Sequence, residues 1–335
     1  MAITYLPEKQ LFRLDTKTST YAFTVYKEGY LVHLYYGAKV PDTDLSYLMF
    51  RGWVDELSPR NPKVGERFFS TDIAPLEYST NGAGDMRISA LSVRGGAGDS
   101  VTDLRYVSHK ITKGKPQLPG LPATYDDGSQ AETLEVETVD AVTGVKAYLL
   151  YTVFEDYGAM TRSVRIENGG SAPVTLERAY SACLDLPTMD RDMVHVYGRW
   201  AKENTTVRHP LQHGIQCVQS KRGMTGPNHN PFLALVDQDA TEERGEAIGV
   251  NLVYSGNFAL DVEVDTRGCP RLLAGINPTD FRWKLEPGEH LLEYTLPAGS
   301  AGYFCTLVFE PAAAELLLCR PGRTGFLCGR RGSPT

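Results

Sequence analysis

The sequence predicts an all-β fold, a large antiparallel sandwich followed by a short irregular or helical C-terminal tail. Short runs of alternating apolar and polar residues follow one another along most of the 335 residues, and Gly, Pro, Asn or Asp breaks them at short intervals. Apolar positions with the 3.6-residue period of a helix are nearly absent. Strands do not alternate with helices, which argues against a doubly wound parallel sheet.

The first strands lie in "TYAFTVYKEGYLVHLYYGAKV". Its alternation places Tyr21, Phe23 and Val25 on one face of the first strand. It likewise places Leu31, His33 and Tyr35 together on the second strand. The intervening "KEG" is typical of a hairpin turn.

Further strands are predicted along the rest of the chain. "VKAYLLYTVFED" is a long strand, and "AMTRSVRIENGGSAPVTLERAYSACLDL" is predicted to be a hairpin. In its "NGGSAP" connection we expect the glycines to supply positive φ angles and Pro173 to open the return strand. Later strands are predicted in "FLALVD", "AIGVNLVYSG", "FALDVEVD", "RLLAGIN" and "FRWKLEPGEHLLEYTL".

Residues 290–335 differ in composition from the rest of the chain. They contain no Asp, Asn, Lys, Gln, Ile or Met, and they hold three of the six cysteines. "AAAELLLC" at 312–319 is the best candidate for a short helix. Two interpretations stay open: an ordinary basic tail, or a change of reading frame that replaces the selected sequence. We expect residues beyond about Leu296 to pack poorly and to be removable.

Composition and charge exclude several classes of partner. The chain has 34 Lys and Arg against 41 Asp and Glu, a net charge of -7, which argues against nucleic acid and anionic membranes as partners. No signal peptide or membrane span is evident, so a cytoplasmic protein with reduced cysteines is expected. The cysteines form no CxxC pair, so no metal is predicted, and no cofactor is predicted either.

Charged side chains crowd the loop-rich segment 51–87. They are Asp55, Glu56, Glu66, Arg67, Asp72, Glu77, Asp85 and Arg87. Two carboxylates could hydrolyse a glycosidic bond between them, and an arginine beside a carboxylate could instead hold sugar hydroxyls. A structural ion-pair network is the third alternative, and the spacing does not choose among them.

A second polar segment follows a strand that is predicted to end near Leu186. It holds Asp185, Asp190, Arg191, Asp192, Arg199 and Trp200. Functional loops are often carried on rigid scaffolds, and an indole face suits a sugar ring. The alternative for Trp200 is a side chain that covers the sandwich edge.

Two weaker motifs are interpreted as loops. The Gly-rich stretches 81–87 and 94–100 complete no phosphate-binding motif and are predicted to be turns. His209 and His213 would share a face on a helix, but Pro210 and Gly214 break it, so a loop is predicted.

Most of the chain resembles one family. The stretches "FSTDIAPLEYSTNGAGDMR", "VTDLRYVSHKITKGKPQLPGLPATY", "GRWAKEN", "GVNLVYSGNF" and "GINPTDFRWKLEPGE" are similar to the N-terminal domain of bacterial α-galactosidases of glycoside hydrolase family thirty-six. The resemblance runs from near residue 1 to about residue 289. It implies a β-supersandwich over 1–289 and an atypical tail over 290–335.

The resemblance also implies three substrate-binding residues. The family has an Asp and an Arg before its "FS-D" motif near the sugar subsite, and these match Asp55 and Arg67. Its "G-W" loop carries a Trp that walls the subsite, and this matches Trp200. Relatives often form tetramers in which sandwich loops reach a neighbour's active site, so the resemblance implies a homo-oligomer.

The catalytic residues of the family have no counterpart in this sequence. Relatives carry a nucleophile Asp in "KWD" and an acid/base Asp in "SDN" on a (β/α)8 barrel, and neither motif is present. A barrel takes about 250 residues, more than the tail provides. We therefore expect no turnover from this chain alone.

Three functions remain open at this point. The first is the N-terminal part of an α-galactosidase, with α-galactoside sugars as weak or accessory partners. The second is a stand-alone carbohydrate-binding or oligomer-assembly sandwich. The third is an independent hydrolase that uses Asp190 and Asp192.

Overall fold

A computed structural model describes residues 2–49, 52, 58–59, 64, 69–117, 124, 126, 131–241, 243–291 and 305–309. About 55% of the structure is strand, and the described residues include no helix of seven or more residues. Four short 3-10 turns accompany the strands: Pro7–Lys9, Lys27–Gly29, Ser46–Leu48 and Glu155–Tyr157. The all-β prediction is confirmed.

The N-terminal sheet is a four-stranded antiparallel meander. Its strands pair in chain order: β1 Ile3–Leu6, β2 Leu11–Asp15, β3 Ser19–Tyr26 and β4 Tyr30–Ala38. The predicted "KEG" turn joins β3 to β4, with Glu28 and Gly29 at φ 61° and 80°. The predicted face of β4 is wrong at Tyr35, because a bulge shifts the register between Ala22 and Phe23 and puts Tyr36, not Tyr35, opposite Tyr21.

The largest sheet has nine antiparallel strands in the described residues. In spatial order they are β12 Lys202–Pro210, β11 Arg191–Arg199, β14 His229–Asp237, β15 Ala247–Val253, β19 Cys305–Phe309, β9 Ala159–Asn168, β8 Val145–Phe154, β7 Ala131–Asp140 and β6 Leu104–Lys113. The β11–β12 hairpin thus forms one edge of this sheet.

A third sheet of six strands packs against the other two. Its order is β13 Gly214–Ser220, β16 Phe258–Val264, β17 Pro270–Ile276, β10 Val174–Asp185 and β18 Trp283–Leu285, and β5 Leu91–Arg94 also pairs with β10. One apolar cluster contains buried side chains from all three sheets, such as Phe23, Tyr151 and Phe258. Burial of this shared core holds the sheets together.

The "NGGSAP" segment does not close a hairpin. β9 pairs with β8 and β19, whereas β10 pairs with strands of the six-stranded sheet, so the segment crosses between sheets. Its glycines do not adopt positive φ. They are required by close approach instead, because a Cβ on Gly170 would lie 2.1 Å from the carbonyl oxygen of Thr143.

The C-terminal tail contributes one described strand. The backbone of β19 pairs with β15 on one side and with β9 on the other. This backbone pairing argues against the expectation that residues beyond about Leu296 can be removed. The predicted helix at 312–319 lies outside the described residues, and the domain boundary at 289 stays a prediction.

Candidate functional site

Trp200 lies at the tip of the β11–β12 hairpin. Arg199 pairs with Lys202, which leaves Trp200 and Ala201 as the turn. Ala201 has a φ of 60°, and its N–H donates to Oε1 of Glu203 at 3.0 Å. The Trp200 residue is 91% exposed, so the hairpin presents an indole face to solvent.

The backbone around this tip is held in a specific shape. The β11–β12 register shifts by one residue near the turn, and Asn204, with φ 57°, lies in the left-handed region that Asn tolerates. A Cβ on Gly198 would lie 2.7 Å from the Cα of Glu203. Asn230 on β14 donates to Oδ1 of Asn204 at 3.4 Å. Bulges of this kind re-aim side chains, and this one accompanies an outward-pointing Trp200.

Three histidines lie near one another on β11, β12 and the start of β14. The His195 and His209 ring centroids are 6.0 Å apart, and His229 begins β14 beside them. Burial lowers the pKa of His195, and the charges of His209 and His229 lower it further. The imidazole of His195 is therefore neutral at neutral pH.

Asp55 and Arg67 lie outside the described residues, as do Glu56 and Glu66. The described residues of the same segment are fixed to the N-terminal sheet. Val64 and Phe69 are buried in a small cluster with Tyr30 and Val32 of β4. The segment is thus attached to β4 on the C-terminal side of Arg67.

Asp85 and Arg87 belong to a buried ion network with Asp185 and Arg271. Arg271, with no exposed surface, donates to Asp185 through Nε at 2.7 Å and Nη2 at 2.8 Å, and to Asp85 through Nη1 at 2.7 Å. Arg87 donates to Asp85 at 2.9 Å and to Asp185 at 3.1 Å. We call these four side chains the Arg271 network.

The Arg271 network joins the two polar segments that the sequence singled out. Asp85 and Arg87 come from the first segment and Asp185 from the second, and each carboxylate accepts from both arginines. All four side chains are at most 7% exposed. Of the three alternatives for the first segment, the structural network is the one that these residues adopt.

A second network surrounds Glu77, which is 1% exposed. Tyr21 and Tyr151 donate their hydroxyls to its carboxylate at 2.7 and 2.8 Å, and His33 Nδ1 lies 2.9 Å away. Arg162 Nη2 is 3.5 Å from Oε2 and donates to the Glu77 carbonyl at 2.9 Å. We call these five side chains the Glu77 network.

The electrostatics of the Glu77 network keep its carboxylate ionised. Burial alone would raise the pKa of Glu77, but the hydrogen bond from His33 and the charge of Arg162 outweigh burial and lower that pKa. Burial raises the pKa of both tyrosines well above its ordinary value, so they stay protonated donors. This carboxylate is surrounded by donors and is unsuited to act on a ligand.

Asp190 and Asp192 do not form an open carboxylate pair. Asp192 accepts from Nε of Arg208 at 2.6 Å and its side chain is 13% exposed. Asp190 accepts from the Thr188 hydroxyl at 2.7 Å. These bonds weaken the case for the hydrolase that the sequence left open.

The remaining sequence motifs have structural roles. The predicted loop is wrong for His209, which lies within β12 and pairs with Met193. His213 lies in the loop after β12, where its Nδ1 is 2.8 Å from the Asp265 carbonyl oxygen, so the two histidines do not share a helix face. The Gly-rich stretches are turns, as predicted, with Gly82 and Gly98 at φ 81° and 88°. Across the described part of the chain, no three His, Cys, Asp or Glu side chains are arranged to hold a metal ion.

Sequence reasoning missed the two arginines at the centres of the networks. Arg271 lies in the otherwise apolar run "PRLLAGI", and Arg162 lies between Thr161 and Ser163 in the strand "AMTRSVRI". A charge inside such a run is the signal, since a buried arginine requires carboxylate partners. The partners are distant in sequence, 186 residues for Arg271 and Asp85, so the run alone does not identify them.

Two cavities lie beside these networks. One of about 20 Å3 is lined in part by Thr71, Thr80 and Asp85, and one of about 10 Å3 by Ser19, Tyr36 and Met160. The larger has room for about one water molecule. Neither can hold a sugar ring.

Comparison with protein families gives one match over most of the chain. The profile of the "Glycosyl hydrolase family 36 N-terminal domain" matches residues 29–286. Among curated proteins, the alpha-galactosidase AgaA of Geobacillus stearothermophilus is 42% identical over 290 residues, which are 86% of this chain and 40% of that protein. The bifunctional alpha-galactosidase/sucrose kinase AgaSK of Mediterraneibacter gnavus is 38% identical over 299 residues, 89% of this chain and 31% of that protein.

Solved structures agree with these matches. The GH36 alpha-galactosidase AgaB from Geobacillus stearothermophilus superposes with a TM-score of 0.84 at 40% identity, over 93% of this chain and 41% of that one. The galactosidase domain of AgaSK superposes with a TM-score of 0.86 at 36% identity, over 93% and 42%. The chain thus spans about 40% of the length of such relatives. Within the described residues, no helix is long and apolar enough to cross a membrane.

Proposed function

Because the chain belongs to glycoside hydrolase family 36, as its N-terminal domain, we propose that it is the sugar-contacting sandwich of an α-galactosidase. The substrate class is a terminal α-galactoside. In this proposal the chain contacts the sugar as an accessory wall and does not itself break the glycosidic bond. The observation that carries the proposal is the solvent-facing indole of Trp200 on a constrained hairpin tip.

The hairpin supports a stacking role for Trp200. An indole that is 91% exposed has a free face for the apolar side of a sugar ring. The bulge at Asn204 and the close packing at Gly198 restrict the direction of the tip. The entropy cost of ordering the tip when a sugar ring stacks on Trp200 is therefore small.

The carboxylates support an accessory role rather than catalysis. Asp85, Asp185 and Glu77 are buried in their networks, and Asp192 is paired with Arg208. A retaining glycosidase needs two free carboxyl groups about 5 Å apart on either side of the bond. We propose that those groups, and the pocket around the sugar, belong to another part of the enzyme or to another subunit.

Asp55 and Arg67 are proposed as the polar contacts that accompany Trp200. A carboxylate and a guanidinium are suited to orient sugar hydroxyls through charge-assisted hydrogen bonds. Their segment is attached to β4 through Val64 and Phe69. This assignment rests on the sequence match to the family motif.

The oligomeric state and the cellular compartment that the sequence predicts are also part of the proposal. A hairpin tip that projects from a sheet edge suits contact with a neighbouring subunit, so we propose a homo-oligomer. Cys183, Cys217 and Cys269 are free thiols, which suits the cytoplasm that the sequence predicts.

The test is sugar binding to the purified chain, measured by tryptophan fluorescence. Methyl α-galactoside should shift the emission of wild-type protein, with a Kd on the order of millimolar because one wall supplies only part of a site. Trp200→Ala should weaken binding at least about tenfold, because stacking aromatics dominate such contacts. Calorimetry provides the same comparison without the lost fluorophore.

Tyr157→Ala is the matched control. Tyr157 is also strongly exposed, at 69%, but it lies at the β8–β9 turn. Its replacement should leave binding unchanged. Equal binding by wild type and Trp200→Ala would refute the sugar wall, and release of nitrophenol from a nitrophenyl α-galactoside by the chain alone would refute the accessory role.

A further inference from the structure

His195 lies half-buried on the inward face of β11, four residues before the end of that strand. Met193 on the same face packs into the shared core, whereas Val194 belongs to a separate cluster on the opposite face. Nδ1 of His195 is buried and has no hydrogen-bond partner among the described residues. A buried polar atom without a partner is rare in folded proteins, so this one requires an explanation.

The titratable groups that face His195 are two more imidazoles and a phenol. His209 of β12 and His229 of β14 are the charges that act on it among the described residues, and the ring of His209 is centred 6.0 Å away. Tyr197 follows on the same face of β11, opposite His229. A positive charge on His195 would therefore lie beside two groups that repel it when they are charged.

No carboxylate of these three strands is free to compensate such a charge. The residues directly opposite His195 are apolar, Val207 on β12 and Leu233 on β14. The acidic residues of the three strands are engaged elsewhere: Asp192 accepts from Arg208, Glu203 accepts from the N–H of Ala201, and Asp237 pairs with Arg191. Protonation of His195 would thus create an uncompensated charge.

Protonation also creates an unsatisfied donor. A neutral imidazole has one N–H and can keep Nδ1 unprotonated, but an imidazolium carries a proton on both nitrogens. In His195 the second N–H would be buried with no acceptor among the described residues. A buried charged donor without an acceptor is strongly unfavourable. The protonated ring therefore favours any rearrangement that brings Nδ1 into water.

β12 is the element next to His195 that has least to hold it. It is the outermost strand of the nine-stranded sheet and pairs only with β11 among the described residues. None of its nine residues is buried. Segments with little buried surface open locally at low cost. Because the hairpin tip joins β11 to β12, a displacement of β12 also displaces Trp200.

We propose that His195 is a pH-sensitive switch for the β11–β12 hairpin: neutral His195 keeps β12 in place, and its protonation releases β12 together with the Trp200 tip. The inference goes beyond the sugar contact and does not depend on it. Burial first, and then its two histidine neighbours, lower the pKa of His195 from 6.5. The closed hairpin thus binds fewer protons than the open one, so it is favoured above about pH 6.5 and opening increases as the pH falls below that value.

The experiment is amide hydrogen exchange of the full chain, read by mass spectrometry at about pH 7.5 and about pH 5 and corrected for the intrinsic exchange rate at each pH. Protection of β12 should fall about tenfold at the lower pH and recover when the pH is restored. β6 is the internal control, because it is the opposite edge of the same sheet and carries His109, whose Nδ1 lies 2.7 Å from the Tyr106 hydroxyl. Protection of β6 should change by less than about twofold.

Two variants assign the effect to His195. His195→Phe keeps a flat ring but cannot be protonated, so its β12 protection should be the same at both pH values. His213→Phe replaces an exposed histidine in the loop after β12 and should keep the wild-type loss. If His195→Phe does not fold, His195→Gln takes its place. Unchanged β12 protection in wild type, an equal loss in β6, or a loss that persists without His195 would each overturn the switch.

Discussion

At the scale of single residues, the buried arginines contribute more to the stability of the fold than the exposed ones do. Arg271 has no exposed surface and is bound by Asp85 and Asp185 together. Removing one partner from a buried ion pair costs about 3–5 kcal/mol, because the remaining charge is left without compensation. An exposed pair such as Arg94 and Glu177 contributes about 0–1 kcal/mol. The Arg271 network therefore fixes the loop of Asp85 and Arg87 to the six-stranded sheet, and the Glu77 network joins the N-terminal sheet to the nine-stranded sheet.

Glu77 gives a pH-dependent prediction. The pKa of this carboxyl is lowered from its ordinary value of about 4.5, so its contribution to stability is present above that pH and is lost as pH falls through the lower folded value. Glu77→Gln should lower the free energy of unfolding at about pH 7 by about 3–5 kcal/mol, because Arg162 loses its counter-charge. Urea unfolding from about pH 7 to about pH 3 should show the gap between wild type and variant closing below about pH 4.5.

Glu177→Gln is the matched control for that series. Glu177 is a partly exposed partner of Arg94, and its replacement should change stability by about 1 kcal/mol or less at every pH. Parallel curves for wild type and Glu77→Gln across the acid range would contradict the ionised, buried state of Glu77.

At the scale of elements, the β11–β12 hairpin depends on a glycine with no room for a side chain. A Cβ on Gly198 would lie 2.7 Å from the Cα of Glu203, which is backbone and cannot move aside alone. Gly198→Ala should destabilise the chain by about 1–3 kcal/mol and change the environment of Trp200. Urea unfolding and the quenching of Trp200 by iodide measure the two effects.

Gly226→Ala is the control for the hairpin. A Cβ on Gly226 would have open space around it, and its φ is not in the left-handed region. It should be close to neutral in the same assays. An equally stable Gly198→Ala protein with unchanged quenching would mean that the tip is not constrained by this contact.

The positions of the strands were predictable from the sequence, but their partners were not. The alternation of Tyr21, Phe23 and Val25 correctly predicts a buried face, because side-chain direction has a period of two. Sequence proximity wrongly predicted that the strands around "NGGSAP" pair with each other. Alternation is local, whereas pairing depends on the long-range packing of three sheets.

The candidate site was predictable only in part for the same reason. Trp200 could be nominated because an indole among charged residues is unusual, and the structure does expose it. Arg162 and His33 could not be assigned to Glu77, since their partner lies in a different element and only folding brings them together. A charge in a loop-rich segment can serve a ligand or a network, and burial is what distinguishes them.

At the scale of the whole molecule, a strand from the unusual C-terminal tail joins the two parts of the nine-stranded sheet among the described residues. The sequence interpretation treats 290–335 as one atypical segment, whereas the structure includes Cys305–Phe309 as an internal strand. An internal strand pairs on both sides, so its loss removes two ladders at once. The tail therefore divides into a strand that completes the sandwich and a remainder for which composition alone makes a prediction.

Two truncations test that division. A chain that ends after residue 297 lacks β19 and should lose several kcal/mol of unfolding free energy, because the facing edges of β9 and β15 lose their backbone hydrogen bonds. A chain that ends after residue 311 keeps β19 and should be nearly as stable as the full chain, because the sequence beyond it lacks a selected pattern of alternating faces. Urea unfolding of both against the full chain is the measurement. Equal stability of all three would mean that the sandwich does not need the strand, and a large loss from the shorter deletion would mean that residues 312–335 are a true part of the fold.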